Sequence, residues 1–369
     1  MNVAIMGAGL SGLACALTLE RSGVMPVVYE KRGRVGDRFV NGEFMLSLLS
    51  RPIDDCIAYL AETHKLYLQP QAHVSHMYIY SENEEALIEG RLGFTNVRGR
   101  QHDAYECQLA RQLASPIRLH AEETYEQLLQ KHTHIVLATG DGDYSRRMHN
   151  FRRDFTVSIK GATVEGCFDR YAVMAWLNYE LAPKGYGYLI PFSDREAQLV
   201  IAFPDPEEPH AGGEDIEALW QRLYAKAQQR LGQQLRVIDQ FQIRQYPVGI
   251  CESARIGNTF FVGNCFGTMM PYLGFGQFAA ILSGIYAAHD LLGIGKYVEL
   301  MEPLRQSYEN SLVLRRSLEQ LDNADLDRIV KLLSGPWGSR LFQPGTFDPL
   351  KLASYVLRPY VKLKTGIMS

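Results

Sequence analysis

The residues best suited to chemistry stand at the start of the chain. Gly7-Ala8-Gly9-Leu10-Ser11-Gly12 is a G-x-G-x-x-G run, and Glu30 follows after one more apolar helix pattern and a short strand pattern. In that spacing Gly7 permits a tight turn, Gly9 lets backbone approach a pyrophosphate, and Gly12 lets the helix pack closely on the strand. The backbone of Ala8, Leu10 and Ser11 then offers N–H groups to the anion, and the Glu30 carboxylate can accept ribose hydroxyls. The run Lys31-Arg32-Gly33-Arg34-Val35-Gly36-Asp37-Arg38 is basic and glycine-rich. Near a pyrophosphate it can supply a cation, with Lys31 and Arg38 as candidates and Arg100 as a further one.

Two later stretches carry the same kind of signal. His134 to Thr139 reads as a buried parallel strand, and it runs into Ala138-Thr139-Gly140-Asp141-Gly142. Glycines at the carboxyl end of such a strand lie where open α/β sheets bind ligands, so Thr139, Gly140 and Asp141 are candidates. Asn258 to Val262 reads as another buried strand, followed by Gly263-Asn264-Cys265-Phe266-Gly267 and Pro271-Tyr272-Leu273-Gly274-Phe275-Gly276. A small-residue helix, Gln277 to Leu292, follows. Gly263, Asn264, Pro271, Gly274, Phe275 and Gly276 are candidates there, because glycines at a helix start leave N–H groups free for a ligand.

These stretches need elements to hold them. Leu17 and Leu19 lie in an apolar-periodic helix that stops at Gly23, and Pro26 to Tyr29 is a strand. Ile53 to Leu66 and Tyr105 to Leu113 are helical by period. Val74 to Tyr80 and Ala86 to Ile88 read as a β-hairpin outside the dinucleotide-binding layer. Ile117 to His120 is a short strand. Phe155 to Val164, Tyr186 to Phe192, Gln198 to Phe203 and Phe241 to Val248 read as strands of a second, antiparallel domain. Within it Tyr171 to Leu181 mixes signals, Pro204 to Gly213 is a loop, and Asp215 to Leu231 is an amphipathic helix. From Tyr297 on the chain is helical, over Met301 to Leu321 and Asp325 to Leu333.

Composition sets the bounds. The 369 residues are 46% hydrophobic and 21% charged, which suits a large core in two or three domains. The net charge of -3 gives no general attraction to nucleic acid. The six cysteines are scattered with no C-x-x-C, so no zinc or redox-pair spacing and no metal site is expected, and they read as reduced thiols. The start lacks a basic signal-peptide region, and no apolar run is long enough to span a membrane. The expectation is a cytoplasmic protein.

Taken together, the Gly7 to Gly12 run with Glu30, the Ala138 to Ser145 run, and Gly263-Asn264 through Gly276 to Ser283-Gly284 resemble FAD-dependent oxidoreductases of the glutathione-reductase-type superfamily. The branch they resemble is the geranylgeranyl reductase family, related to aromatic hydroxylases. Pro183-Lys184-Gly185-Tyr186-Gly187-Tyr188-Leu189-Ile190-Pro191 is similar to that branch's P-x-x-Y-x-W-x-F-P, with Tyr188 for Trp and Ile190 for Phe.

The resemblance implies an α/β fold. A Rossmann-type FAD-binding domain comes in three parts (1–70, 96–150 and 251–295). A hairpin at 71–95 and an antiparallel β substrate domain at 151–250 are inserted, and a helical region at 296–369 follows. It also implies FAD as cofactor, at the residues above, and reduction of a C=C bond in an apolar, isoprenoid-like small molecule. Tyr186, Tyr188 and Pro191 would wall the substrate cavity, with Tyr186, Tyr188 and Ile190 on one strand face. No catalytic acid is assigned.

Asn264 stands where the family has an Asp that binds the ribityl chain; it keeps an acceptor, adds donors and loses the charge. Arg38 to Leu49 lacks the family's cysteine, and no second G-x-G-x-x-G is present. The electron donor would then be NAD(P)H docking transiently or a reduced electron-transfer protein. Two alternatives stay open: an FAD monooxygenase, since Asp141-Gly142-x-x-Ser145-x-Arg147 resembles the hydroxylases' Asp-Gly motif, and a flavin-binding protein without turnover. The basic, aromatic stretch Tyr355 to Lys364 suggests contact with an anionic membrane surface as well as ordinary packing.

Overall fold

The run Val3-Ala4-Ile5-Met6 extends because β-branched and apolar residues fit a pleated, buried surface, and Gly7 ends it. It forms β1 (Val3–Met6), followed by α1 (Leu10–Arg21), β2 (Val27–Tyr29) and β3 (Asn41–Leu46). The chain continues through α2 (Cys56–His64), β4 (Ala72–Tyr80), β5 (Glu85–Arg98), α3 (Tyr105–Gln112), β6 (Ile117–Arg118), α4 (Tyr125–Lys131), β7 (His134–Leu137) and α5 (Asp143–Arg147). Then come β8 (Phe151–Glu165), β9 (Ala172–Trp176), β10 (Tyr186–Pro191), β11 (Glu196–Pro204), α6 (Ile216–Leu231) and β12 (Arg236–Cys251). The last elements are β13 (Arg255–Ile256), β14 (Thr259–Phe261), α7 (Gln277–Leu291), α8 (Tyr297–Leu318), α9 (Asn323–Leu333), α10 (Pro336–Phe342) and α11 (Pro349–Thr365). This computed structural model describes residues 1–206, 215–343 and 345–365. Most of the expected Pro204 to Gly213 loop lies outside the described residues.

Two sheets organise the chain. The first has the order β13-β14-β7-β1-β2-β6, and all its pairings except the β13–β14 edge are parallel. The second has the order β12-β8-β11-β10-β9-β4-β5-β3 and is antiparallel except where β4 meets β9. It curls: a Cβ on Gly42 of β3 would lie 3.3 Å from the Ile190 carbonyl of β10, although three strands stand between the two in sheet order. The curl is filled by Phe44, Leu46, Val74, Met77, Ile79, Ile88, Val173 and Ile190. The architecture is thus a Rossmann-like layer joined to a curled β layer with C-terminal helices.

Glycine and serine set how the first layer packs. A Cβ on Gly12 would sit 2.1 Å from the Gly7 carbonyl oxygen, and one on Gly284 of α7 would sit 2.0 Å from the Ser11 carbonyl oxygen. Only hydrogen fits there, so β1, α1 and α7 come together at backbone contact. Ser283 accepts the Gly263 N–H at 2.8 Å. Leu13, Leu17, Ile281 and Ile285 are buried in the same core, each worth about 1.5–3 kcal/mol of burial.

Three boundaries differ from expectation. β3 lies within 1–70 but belongs to the second sheet; its polar start, Asn41-Gly42-Glu43, hides the strand. β5 and β12 run well beyond Ala86 to Ile88 and Phe241 to Val248. β12 does so across three register irregularities, one between Ile243 and Tyr246. Among the described residues no helix is long and apolar enough to cross a membrane.

Candidate cofactor site and adjoining cavity

The glycine turn has one open side and two closed ones. Gly7, at φ 117°, is locked against β7: its Cβ would lie 2.2 Å from the Ala138 carbonyl oxygen. Nothing lies within 4 Å of the Cβ position of Gly9. That open side faces the start of α1, whose first N–H groups have no partner within the helix and whose N-cap, Gly9, has no capping side chain. Glu30 stands beside the turn at the end of β2. Its Oε2 accepts the Ala8 N–H at 2.9 Å and its Oε1 the Arg32 N–H at 2.9 Å. Each oxygen keeps a lone pair for a further donor.

The three motif stretches meet. A Cβ on Gly263 would lie 2.5 Å from Ser11 Oγ. Thr139 Oγ1 pairs with Cys265 Sγ at 2.9 Å, and Ser145 donates to the Cys265 carbonyl at 2.6 Å. Gly140 is exposed with nothing within 4 Å of its Cβ position. Asp141 accepts the Asp143 N–H at 3.1 Å, and burial raises its carboxyl above the usual range.

Tyr246 was invisible to strand alternation. Gln245 beside it adopts φ 52° within the β12 irregularity, and Tyr246 then reaches the first layer. Its hydroxyl donates to the Gly140 carbonyl at 3.0 Å and accepts from Asn264 Nδ2 at 3.0 Å. Thr268 donates to Asn264 Oδ1 at 3.3 Å. The amide at 264 is therefore fixed by a tyrosine from the curled sheet. Burial raises the Tyr246 pKa, so the hydroxyl stays neutral.

The basic candidates separate. Lys31 is exposed. Arg100 is committed to Asp239 by an ion pair at 2.5 Å, so its charge is already answered. The Arg38 side chain makes no ion pair and no hydrogen bond among the described residues, and its guanidinium carbon lies 4.4 Å over the Phe39 ring. Burial, and then Arg98, lower its pKa.

Next to Arg38 is a polar cluster the sequence did not announce. Burial disfavours charge on Arg98 and Glu106, but their 2.7 Å contact outweighs it: the arginine pKa is raised and the carboxyl pKa lowered. Glu43 lies 3.5 Å from Arg98, accepts from Asn41 at 2.8 Å and from Gln277 at the first position of α7. Asn96 and Gln277 bond each other at 2.9 Å and 3.0 Å. The cluster joins β3, β5, α3 and α7, so it ties the curled sheet to the helix that follows the Pro271 to Gly276 turn.

That turn is also held by the aromatic strand. Tyr186 donates to the Leu273 carbonyl, and Ser311 of α8 accepts the Tyr272 N–H at 2.9 Å. Tyr188 lies 5.9 Å from Tyr186, ring to ring, and packs in the apolar cluster that includes Phe44 and Phe275. Burial keeps both hydroxyls protonated. Pro191 is one position out of phase with this pair. It falls on the side of Gly187 and Leu189, which packs on Leu223 of α6, so the structure does not bring it to the face Tyr186 and Tyr188 share.

A cavity of about 450 Å³ adjoins the turn from the other side. Leu48, Leu49, Met270, Leu273, Pro303, Leu314 and Leu350 give it apolar walls, and Arg51, Glu302, Gln306 and Asn310 add polar groups. It is formed by the segment after β3, the Met270 to Leu273 stretch, α8 and the start of α11. Tyr186, Tyr188 and Pro191 are not among its walls. Among the described residues no three His, Cys, Asp or Glu side chains gather to hold a metal ion.

These residues fit a bound dinucleotide by an internal test. The one glycine whose Cβ position is empty, among three in the motif, is the one that a pyrophosphate must approach, and the acid stands on the same turn. Comparison with known proteins agrees. Residues 5–48 match the family described as an NAD(P)-binding Rossmann-like domain. No curated protein matches the sequence.

Among solved structures, a geranylgeranyl bacteriochlorophyll reductase-like protein from Thermoplasma acidophilum superposes with a TM-score of 0.72 at 15% identity, over 99% of this chain and 98% of that one. Flavin-dependent brominase Bmp2 gives 0.66 at 14% identity, over 98% and 99%. A point variant of halogenase PltM, in complex with FAD, gives 0.68 at 12% identity, over 100% and 92%. The chain shares its fold with these proteins over nearly all of its length.

Proposed function

We propose that this chain binds FAD along the Gly7 to Gly12 turn and acts as a flavin-dependent oxidoreductase. The observation that carries the reading is the meeting of three glycine turns around an open Gly9, with Glu30 on one side and the Tyr246–Asn264 pair on the other. Glu30 holds the adenosine ribose, α1 receives the pyrophosphate, and Arg38 balances charge there. Asn264 and the Pro271 to Gly276 turn border the ring. FAD, when bound, supplies hydride-transfer chemistry; the protein binds, orients and excludes water.

Within that class, we assign reduction of a C=C bond in an apolar, isoprenoid-like substrate. The support is the Pro183 to Pro191 segment, whose Tyr186 grips the Leu273 carbonyl, together with the apolar-walled cavity on the far side of Met270 to Leu273. The similarity in fold to a geranylgeranyl reductase-like protein points the same way. A proton would arrive from water or a side chain; Tyr188, whose hydroxyl burial keeps protonated, lies outside that cavity's walls and is not assigned the role. NAD(P)H or a reduced protein would supply electrons by transient docking.

The test is direct. The purified protein should show an oxidised-flavin spectrum, and its chemically reduced form should be reoxidised by a polyprenyl alkene without oxygen. A colourless protein that takes up no added FAD would remove the whole reading. The second reading, a monooxygenase, is favoured by the ordered Asp141–Gly142 turn; substrate-dependent oxygen uptake with oxygen in the product would establish it instead.

A further inference from the structure

α11 is apolar on two faces, and α8 covers one of them. Leu350, Ala353, Ser354, Leu357 and Val361 recur at helical spacing, and this stripe lies on α8, with Ser354 and Val361 buried. A second stripe, Leu352, Tyr355, Val356 and Pro359, follows i, i+3, i+4, i+7 and is exposed, Val356 to 71%. Phe347, 63% exposed, stands just before the helix. Pro349–Thr365 contains Lys351, Arg358, Lys362 and Lys364 and no acidic residue, although the whole chain carries a net charge of -3. A helix that is apolar on both sides is normally covered on both.

We infer that α11 docks on the surface of an anionic lipid bilayer, with the Leu352–Tyr355–Val356–Pro359 stripe entering the headgroup layer. Such helices combine an exposed apolar face with basic residues, and anionic lipid attracts the bases. Charge chooses between a bilayer and a second copy of the chain. A two-fold contact through this stripe would bring one all-basic helix against another, whereas phosphate headgroups answer that charge. Position adds a consequence: Leu350 and Lys351, at the start of α11, also line the cavity beside Leu273. A docked α11 therefore sets the cavity wall at the membrane, where an apolar substrate is dissolved. That delivery step rests on the proposed reductase reading; the docking itself does not.

The experiment uses the full chain as purified, sedimented with vesicles of phosphatidylcholine alone or with a quarter phosphatidylglycerol, with flavin content read separately. Binding to the anionic vesicles should be at least about tenfold stronger than to neutral ones and should weaken with salt. The double variant Leu352→Ser, Val356→Ser should lose about tenfold in vesicle binding with an unchanged melting temperature, since both side chains are exposed. Equal binding to both vesicles, no binding, or full binding by the double variant would overturn the inference. So would a concentration-dependent dimer of the wild type that the double variant abolishes. Loss of flavin with vesicle binding retained would instead strike the functional reading and leave the docking surface standing.

Discussion

The Glu30 side chain and the Ala8 backbone are joined at 2.9 Å, and the same carboxylate accepts the Arg32 N–H at 2.9 Å. The acid that is to receive a ribose thus also fastens both its own loop and the glycine turn. Glu30→Ala should weaken FAD binding by about 1.5–3 kcal/mol, tenfold or more, as a charged acceptor is lost. It should also lower the melting temperature of the FAD-free protein. Titration of FAD by fluorescence quenching and a thermal melt without FAD separate the two effects. Wild-type affinity in the variant would show that Glu30 serves the turn alone.

The glycines should divide by what surrounds them. Gly9→Ala meets no atom within 4 Å, so the FAD-free fold should melt close to wild type while FAD binding falls sharply. Gly12→Ala drives a methyl to 2.1 Å from the Gly7 carbonyl oxygen and should destabilise the protein itself, by about 1–3 kcal/mol or more. Urea unfolding of both variants without FAD checks the contrast, and equal destabilisation would count against an open site at Gly9.

Tyr246→Phe removes the hydroxyl between Gly140 and Asn264 and leaves the Asn264 amide without that acceptor. The expected loss is about 1 kcal/mol in FAD affinity, some fivefold, with little change in overall stability because the ring remains. The measurement is the FAD dissociation constant. No change would mean that the amide at 264 stands clear of the cofactor.

Acid should destabilise the pair His64 and His289, whose rings lie 5.9 Å apart. Burial, then the neighbouring His289, push His64 down to about 4, and its Nε2 is buried without a partner. An unfolded histidine titrates near about 6.5. Between that value and about 4 the unfolded chain takes up a proton that the folded chain refuses, so stability falls with pH across this window and levels below it. His64→Gln should flatten the drop in melting temperature between neutral and mildly acidic buffer. An unchanged slope would assign acid sensitivity to other groups.

How legible all this was depended on how locally each feature is encoded. Gly7, Gly9 and Gly12 announce themselves because each answers a local steric demand, and the neighbouring strand and helix patterns are strong. The Ser283-Gly284 pair was legible for the same reason: one accepts a turn N–H and the other admits α1. β3 was not, because Asn41-Gly42-Glu43 lacks alternation until its partner β5 is in place. Tyr246 was hidden by the irregularity at Gln245, which shifts every later side chain. Glu43, Arg98 and Glu106 look like ordinary surface charges in sequence; the fold pairs them across three elements, with Glu106 buried and the other two partly so. The cavity draws on the segment after β3 and on α8 and α11, which share no motif, so nothing local could reveal it.

The order of strands in the first sheet also governs how the protein is made. Val3 of β1 sits beside His134 of β7, and Ile135 waits for Thr259 of β14. Between those segments the chain leaves to build most of the curled sheet and returns. A nascent chain therefore holds β1 paired only on its β2 side until β7 has been made, and β7 then lacks its β14 neighbour until most of the curled sheet has followed, with apolar edges exposed. Closing such distant pairings is slow and leaves partly built layers open to aggregation, so high-level expression should benefit from chaperones and reduced temperature.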